Sequence, residues 1–144
     1  MNYEELFDLF VCNCGLPNDE IPQDNDEVYR YIKNAVTLYN QKTKKYRDIL
    51  ATPLKANELD ETISCNSDNE FREDQEGLIL VNLLKYTIFD NLSAEFIGLW
   101  HTSANETKTD SYKAQADEKR AMAKDSMNEA QRIIEDNVED FTFI

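Results

Sequence analysis

Cys12, Cys14, Cys65 and the lone His101 are the side chains whose types first suggest metal or thiol chemistry. A tetrahedral zinc site draws on paired Cys-x₂₋₄-Cys knuckles, with a second pair at defined spacing. Cys12 and Cys14 are one residue apart, and on a helix they point about 200° away from each other, so they cannot share an ion. An odd cysteine count is also a poor disulfide framework, which leads to the expectation of free thiols, no bound metal and assembly in a reducing cytosol. His101 follows Trp100 without any Gly-x-Ser-x-Gly or comparable nucleophile motif to serve. At a helix end, a histidine satisfies terminal carbonyls.

Carboxylates are abundant, at 29 Asp and Glu, but acid–base catalysis needs one of a pair held in an apolar pocket. Only Asp90 and Glu95 lie inside an apolar segment. Buried charges persist by pairing, so these two are expected to meet a lysine or arginine, or to face a groove. Three glycines cannot build Gly-x-x-x-x-Gly-Lys-[Ser/Thr] or Gly-x-Gly-x-x-Gly phosphate loops. The sequence therefore assigns no catalytic, cofactor-binding or metal-ligating residue, and the chain reads as a non-enzyme without cofactors.

Charge is the more informative property. A net charge of −14 opposes direct nucleic-acid binding, which requires clustered cations that release counterions. The charge is also blocked. Met1 to Glu27 holds eight acids and no base, whereas Val28 to Arg47 holds six bases and no acid. Lys42, Lys44, Lys45 and Arg47 are thus candidate partner contacts, facing acids of Met1–Glu27 or Glu70–Glu76 in a neighbouring molecule. Tyr31, Tyr39 and Tyr46 lie beside these bases, but their spacing is that of a structural stripe and not of a stacking platform. Strong acidity also suits an inhibitor or DNA mimic directed at a basic nucleic-acid-binding protein. The basic block opposes that alternative, because a mimic's binding face should be uniformly negative.

The elements that carry these residues follow from apolar spacing. A chain of 144 residues is expected to form one domain, 1–144. Tyr3, Leu6, Phe7, Phe10, Val11 and Cys14 mark a first helix over 3–14, with Gly15 as its left-handed stop and Pro17 beyond. Asp24 with Glu27 resembles a capping box opening a second helix over 25–47. The segment 48–66 is long for a plain connection and is expected to hold a hairpin, a helical turn or a functional loop, with Leu59 and Ile63 pinning it to the core. Ser67 or Asp68 caps a third helix over 69–100, apolar on most of its circumference and so buried by other helices or by subunits. Its Lys85, Asp90 and Glu95 argue against a membrane span. Asp110 or Ser111 caps a charged fourth helix over 111–137, whose stripe runs Tyr112, Ala116, Lys119, Ala123, Met127, Ala130, Ile134 and Val138.

Around its end, acids at Glu135, Asp136, Glu139 and Asp140 oppose the helix dipole. Residues 138–144 are accordingly expected to form an extended tail that docks through Phe141, Phe143 and Ile144 on a partner's sheet edge. The fold class is all-α: about four helices, a long central apolar helix, a long charged C-terminal helix and that tail. The acidic opening MNYEELFDLF lacks the basic start of a secretory signal.

The strongly apolar helix Leu78 to Trp100, a polar break, and then Asp110 to Ala130 (DSYKAQADEKRAMAKDSMNEA) resemble the head–tail connector and neck proteins of tailed bacteriophages. The resemblance covers about half the chain, with Tyr112, Gln115 and Ala116 opening the last helix. It implies a helical, non-catalytic virion protein that forms a ring between portal and tail. Copies of itself and a portal would be its partners, with assembly in the host cytoplasm and no contact with membrane.

Overall fold

The computed structural model describes residues 1–65, 71–102 and 106–142. Four helices and one hairpin make the fold: α1 (Tyr3–Asn13), α2 (Asn25–Thr43), β1 (Leu54–Asn57), β2 (Thr62–Cys65), α3 (Glu76–Thr102) and α4 (Glu106–Thr142). Short 3₁₀ turns follow α1 at Asn18–Glu20 and α2 at Lys44–Tyr46.

The spine is α3. Ile79, Leu80, Val81, Leu83, Leu84, Ile88 and Phe89 are all buried, and they point all round the helix because α1, α2 and α4 each pack against it. Such a helix has no continuous polar face, which is why its sequence shows no amphipathic phase. The first of its three neighbours, α1, buries Tyr3, Leu6 and Phe10, with the Phe10 ring 6.4 Å from that of Phe89. Its start is fixed by a reciprocal capping box between Asn2 and Glu5, and Gly15 ends it at φ +67, a conformation costly to any residue with a Cβ.

Against α3, α4 presents small residues. Ala116, Ala123 and Ala130 are buried at intervals of seven, with buried Lys119 and Ser126 between them. A seven-residue repeat keeps one seam facing the partner helix, and alanine lets α3's large side chains fill the space. The Ser93 hydroxyl donates to the Ala116 carbonyl at 2.9 Å, a buried polar link across this seam.

Helix boundaries differ from the sequence expectation for local reasons. α2 stops at Thr43 and not at Arg47: a 3₁₀ turn follows at Lys44–Tyr46, and the Thr43 hydroxyl, bonded to the Tyr39 carbonyl (2.7 Å), also meets Thr52 (3.0 Å) on the returning chain. The chain then tightens and carries Leu50 and Ala51 into the core. Asp24 caps α2 by accepting from Asp26 N, and Glu27 serves Tyr31 instead of closing a box. Regular helix in α3 starts at Glu76, whose buried carboxylate takes both the backbone N–H and the Nε of Arg72. The expected caps Ser67 and Asp68 lie outside the described residues.

The expected extended tail is corrected. α4 is already helical at Glu106 and stays helical through Thr142, so residues 138–142 are not strand-like. Asn137, read as a helix stop, donates its side-chain amide to the Ile133 carbonyl inside the helix. Gln131–Glu135 and Arg132–Asp136 pairs one turn apart support the same stretch. Phe143 and Ile144 lie outside the described residues, as does any account of the Phe141 side chain.

Segment 48–66 holds the hairpin, with Leu54 opposite Cys65 and Asn57 opposite Thr62. Ile63 enters the core as expected, but Leu59 does not: it is 102% exposed. The two-residue period of β2 turns Ile63 inward, whereas Leu59 falls in the connecting turn and has no face to follow.

Candidate interaction surface

The two ends of α2 carry opposite charge. At its start, Asp19, Glu20, Asp24, Glu27 and Glu95 line a cleft of about 620 Å³. Buried Tyr31 donates to Glu27 at 2.8 Å; burial, and then that bond, push its pKa up to about 12. From α4, Lys119 reaches Glu20 at 3.1 Å, with side chains only 6% and 15% exposed. This pair pins the turn after α1 to the last helix. Lys119 on the apolar stripe of α4 was visible in the sequence; its partner was not.

At the other end stand Lys42 in the last turn, exposed Lys44 and Lys45, and exposed Arg47. The helix dipole accounts for part of this pattern, since acids favour a helix start and bases its end. It does not account for the crowding of four cations into six residues. Among the described residues, Lys42, Lys44 and Lys45 form no salt bridge. Lys45 Nζ lies 5.1 Å from the Tyr46 ring centroid. The platform beneath is rigid: the fully buried Tyr39 donates its hydroxyl to the Ala51 carbonyl at 2.7 Å, and burial raises its pKa. Thr37, Asn40, Gln41, Lys44, Arg47, Thr52 and Pro53 border a crevice of about 280 Å³ beside these cations.

The remaining bases of α2 are engaged within the chain. Lys33 pairs with Glu58 of the hairpin turn, and Arg30 lies over the Tyr31 ring in a groove shared with Asp90. Asp90 and Glu95 are both exposed and line grooves, the second of the two placements expected for them.

A family model described as YomZ prophage protein matches residues 1–139. The chain belongs to the YomZ prophage protein family. The chain is also similar to the "SPbeta prophage-derived uncharacterized protein YomZ" of Bacillus subtilis (strain 168), 26% identical over 133 residues that cover 92% of each chain. No solved structure matches. The chain is therefore phage-derived, and the YomZ-family match spans α1, α2 and the hairpin, where the resemblance to neck proteins did not reach.

In this YomZ-family chain the cysteines differ in environment: Cys12 is exposed, Cys14 buried and Cys65 between the two. Among the described residues no group of three or more His, Cys, Asp or Glu is placed to hold a metal ion, and no helix is long and apolar enough to cross a membrane. The structure brings Lys42, Lys44, Lys45 and Arg47 together at one end of α2. It puts Phe141 in the last turn of α4, away from any strand register.

Proposed function

We propose that this phage-derived chain is a non-enzymatic virion structural protein, a ring-forming adaptor between portal and tail in the head–tail neck. It assembles in the host cytoplasm from copies of itself and contacts other virion proteins such as a portal, without reading nucleic acid or entering a membrane. The observation that carries this reading is the charge reversal along α2. Nineteen residues span about 28 Å, with an acidic cleft at one end and Lys42, Lys44, Lys45 and Arg47 at the other. A head-to-tail ring needs two unlike, complementary surfaces on each subunit. Phe141, Phe143 and Ile144 supply a further contact.

Two measurements test the proposal together: mass spectrometry of purified phage particles, and sedimentation of the purified chain at several concentrations. The expected result is the chain in particles and a multimer of defined size in solution. Lys44→Glu with Lys45→Glu should weaken that multimer, most at low salt, where exposed charges are least screened. A chain missing from particles and monomeric at every concentration would overturn the reading.

A further inference from the structure

We propose that the tip of the hairpin, Glu58–Leu59–Asp60–Glu61, docks on the basic end of α2 in a second copy of the chain; this rests on the self-assembly reading above, with the tip in place of the cleft at the start of α2 as the acidic surface. Leu59 is the starting observation. Its exposure of 102% stands far from the 38–48% of the other exposed large apolar residues. Turn positions favour Gly, Asn, Asp or Pro for conformational reasons, so neither burial nor turn geometry explains a leucine at this apex.

The tip is held in place before any partner arrives. Tyr29 donates to the Glu61 carboxylate at 2.5 Å, the Glu61 carbonyl accepts from Tyr3 N at 2.8 Å, and Glu58 pairs with Lys33. A prearranged loop has little freedom left to lose on binding.

Charge selects the occupant. Three acids surround Leu59, and the basic end of α2 offers Lys42, Lys44, Lys45 and Arg47 beside a crevice that includes Pro53. The aliphatic stems of lysine and arginine cover apolar surface while their heads stay in water, so the basic end suits an acidic tip with a leucine at its centre. The tip lies beside Lys33, and Lys44 is eleven residues further along, about 16 Å on the helix axis. The two surfaces are therefore distinct, and copies joined through them form a ring or an open chain.

The test is sedimentation of the full chain at low salt, comparing wild type, Leu59→Ser, Lys44→Glu with Lys45→Glu, and Asp60→Lys. Leu59→Ser should weaken self-association about ten- to a hundredfold with an unchanged melting temperature, because an uncovered side chain supports no packing. An equimolar mixture of Asp60→Lys copies and copies carrying both Lys44→Glu and Lys45→Glu should recover association that neither shows alone. If Leu59→Ser associates like wild type while the lysine reversals abolish association, the tip is not the occupant and only the basic end's role survives. If wild type never associates, both the docking and the self-assembly reading fall.

Discussion

The inner and outer stretches of α3 have similar composition and opposite fates. From Glu76 to Ser93 the helix contributes eleven buried residues; from Ala94 to Thr102 it contributes none. Phe96, Ile97 and Trp100 in the outer stretch are only half-buried, and Leu99 is 45% exposed. Outer-stretch contacts are with α4: the Phe96 ring lies 6.4 Å from Tyr112, and Lys113 Nζ lies 5.4 Å from the Trp100 ring. Apolar sequence sets which residues favour burial, but the lengths and positions of α1 and α2 decide which of them obtain it.

The largest expected effect breaks the inner stretch. Phe89→Ala should cost about 3–5 kcal/mol of stability, as a large side chain lost from a closed core does. Leu99→Ala should cost under about 1 kcal/mol, since half its surface is already in water. Urea denaturation of both variants checks this, and equal losses would mean that the outer stretch is covered after all. A smaller effect should come from the seam with α4. Ala123→Leu should destabilise by about 1–3 kcal/mol through overpacking, while the same change at exposed Ala114 stays close to neutral. If the two variants melt together, the helices are not as closely set as the buried alanines imply.

The gentlest probe is alkaline pH, which reads the tyrosines of α2 that share the inner stretch's core. Burial raises the pKa of Tyr39 and is the first cause of the rise in Tyr31, to about 12. A folded pKa above the unfolded value gives stability that is complete below about pH 10 and is lost as pH climbs through the folded pKa. Melting temperature should therefore hold up to pH 10 and fall between 10 and 12. The fall should be shallower in Tyr39→Phe, although that variant starts lower for want of the bond to Ala51. A flat profile to pH 12 would contradict the burial of both hydroxyls.

Much of this was legible in the residues. Four helices, the stop at Gly15 and the basic block at Lys42–Arg47 could be read from spacing and charge, because each depends on neighbours close in sequence. The contrast within α3 could not. A helix apolar all round has no phase to show where its cover ends. Leu59 and Ile63 looked alike as apolar residues in a polar segment, and only the strand register separates the buried one from the exposed one. The end of α4 was not legible either, because its acidic last turn opposes the helix dipole and so signals a stop that the helix does not make. The side-chain bonds of Asn137, Gln131 and Arg132 that carry the helix onward depend on rotamers that spacing does not reveal.

The hairpin's outer rails have a consequence for solubility. A two-stranded ribbon leaves backbone groups along both sides, a standing invitation for another strand to add and for fibres to grow. Here Asn40 occupies one rail, its side chain both donating to the Leu54 carbonyl (2.9 Å) and accepting from the Leu54 N–H (2.7 Å). The other rail is taken by the first residues of the chain, through Ile63 N to the Met1 carbonyl and Tyr3 N to the Glu61 carbonyl, each 2.8 Å. With these positions filled, addition of another strand to the hairpin is opposed, and crowded copies are steered away from amyloid-like stacking.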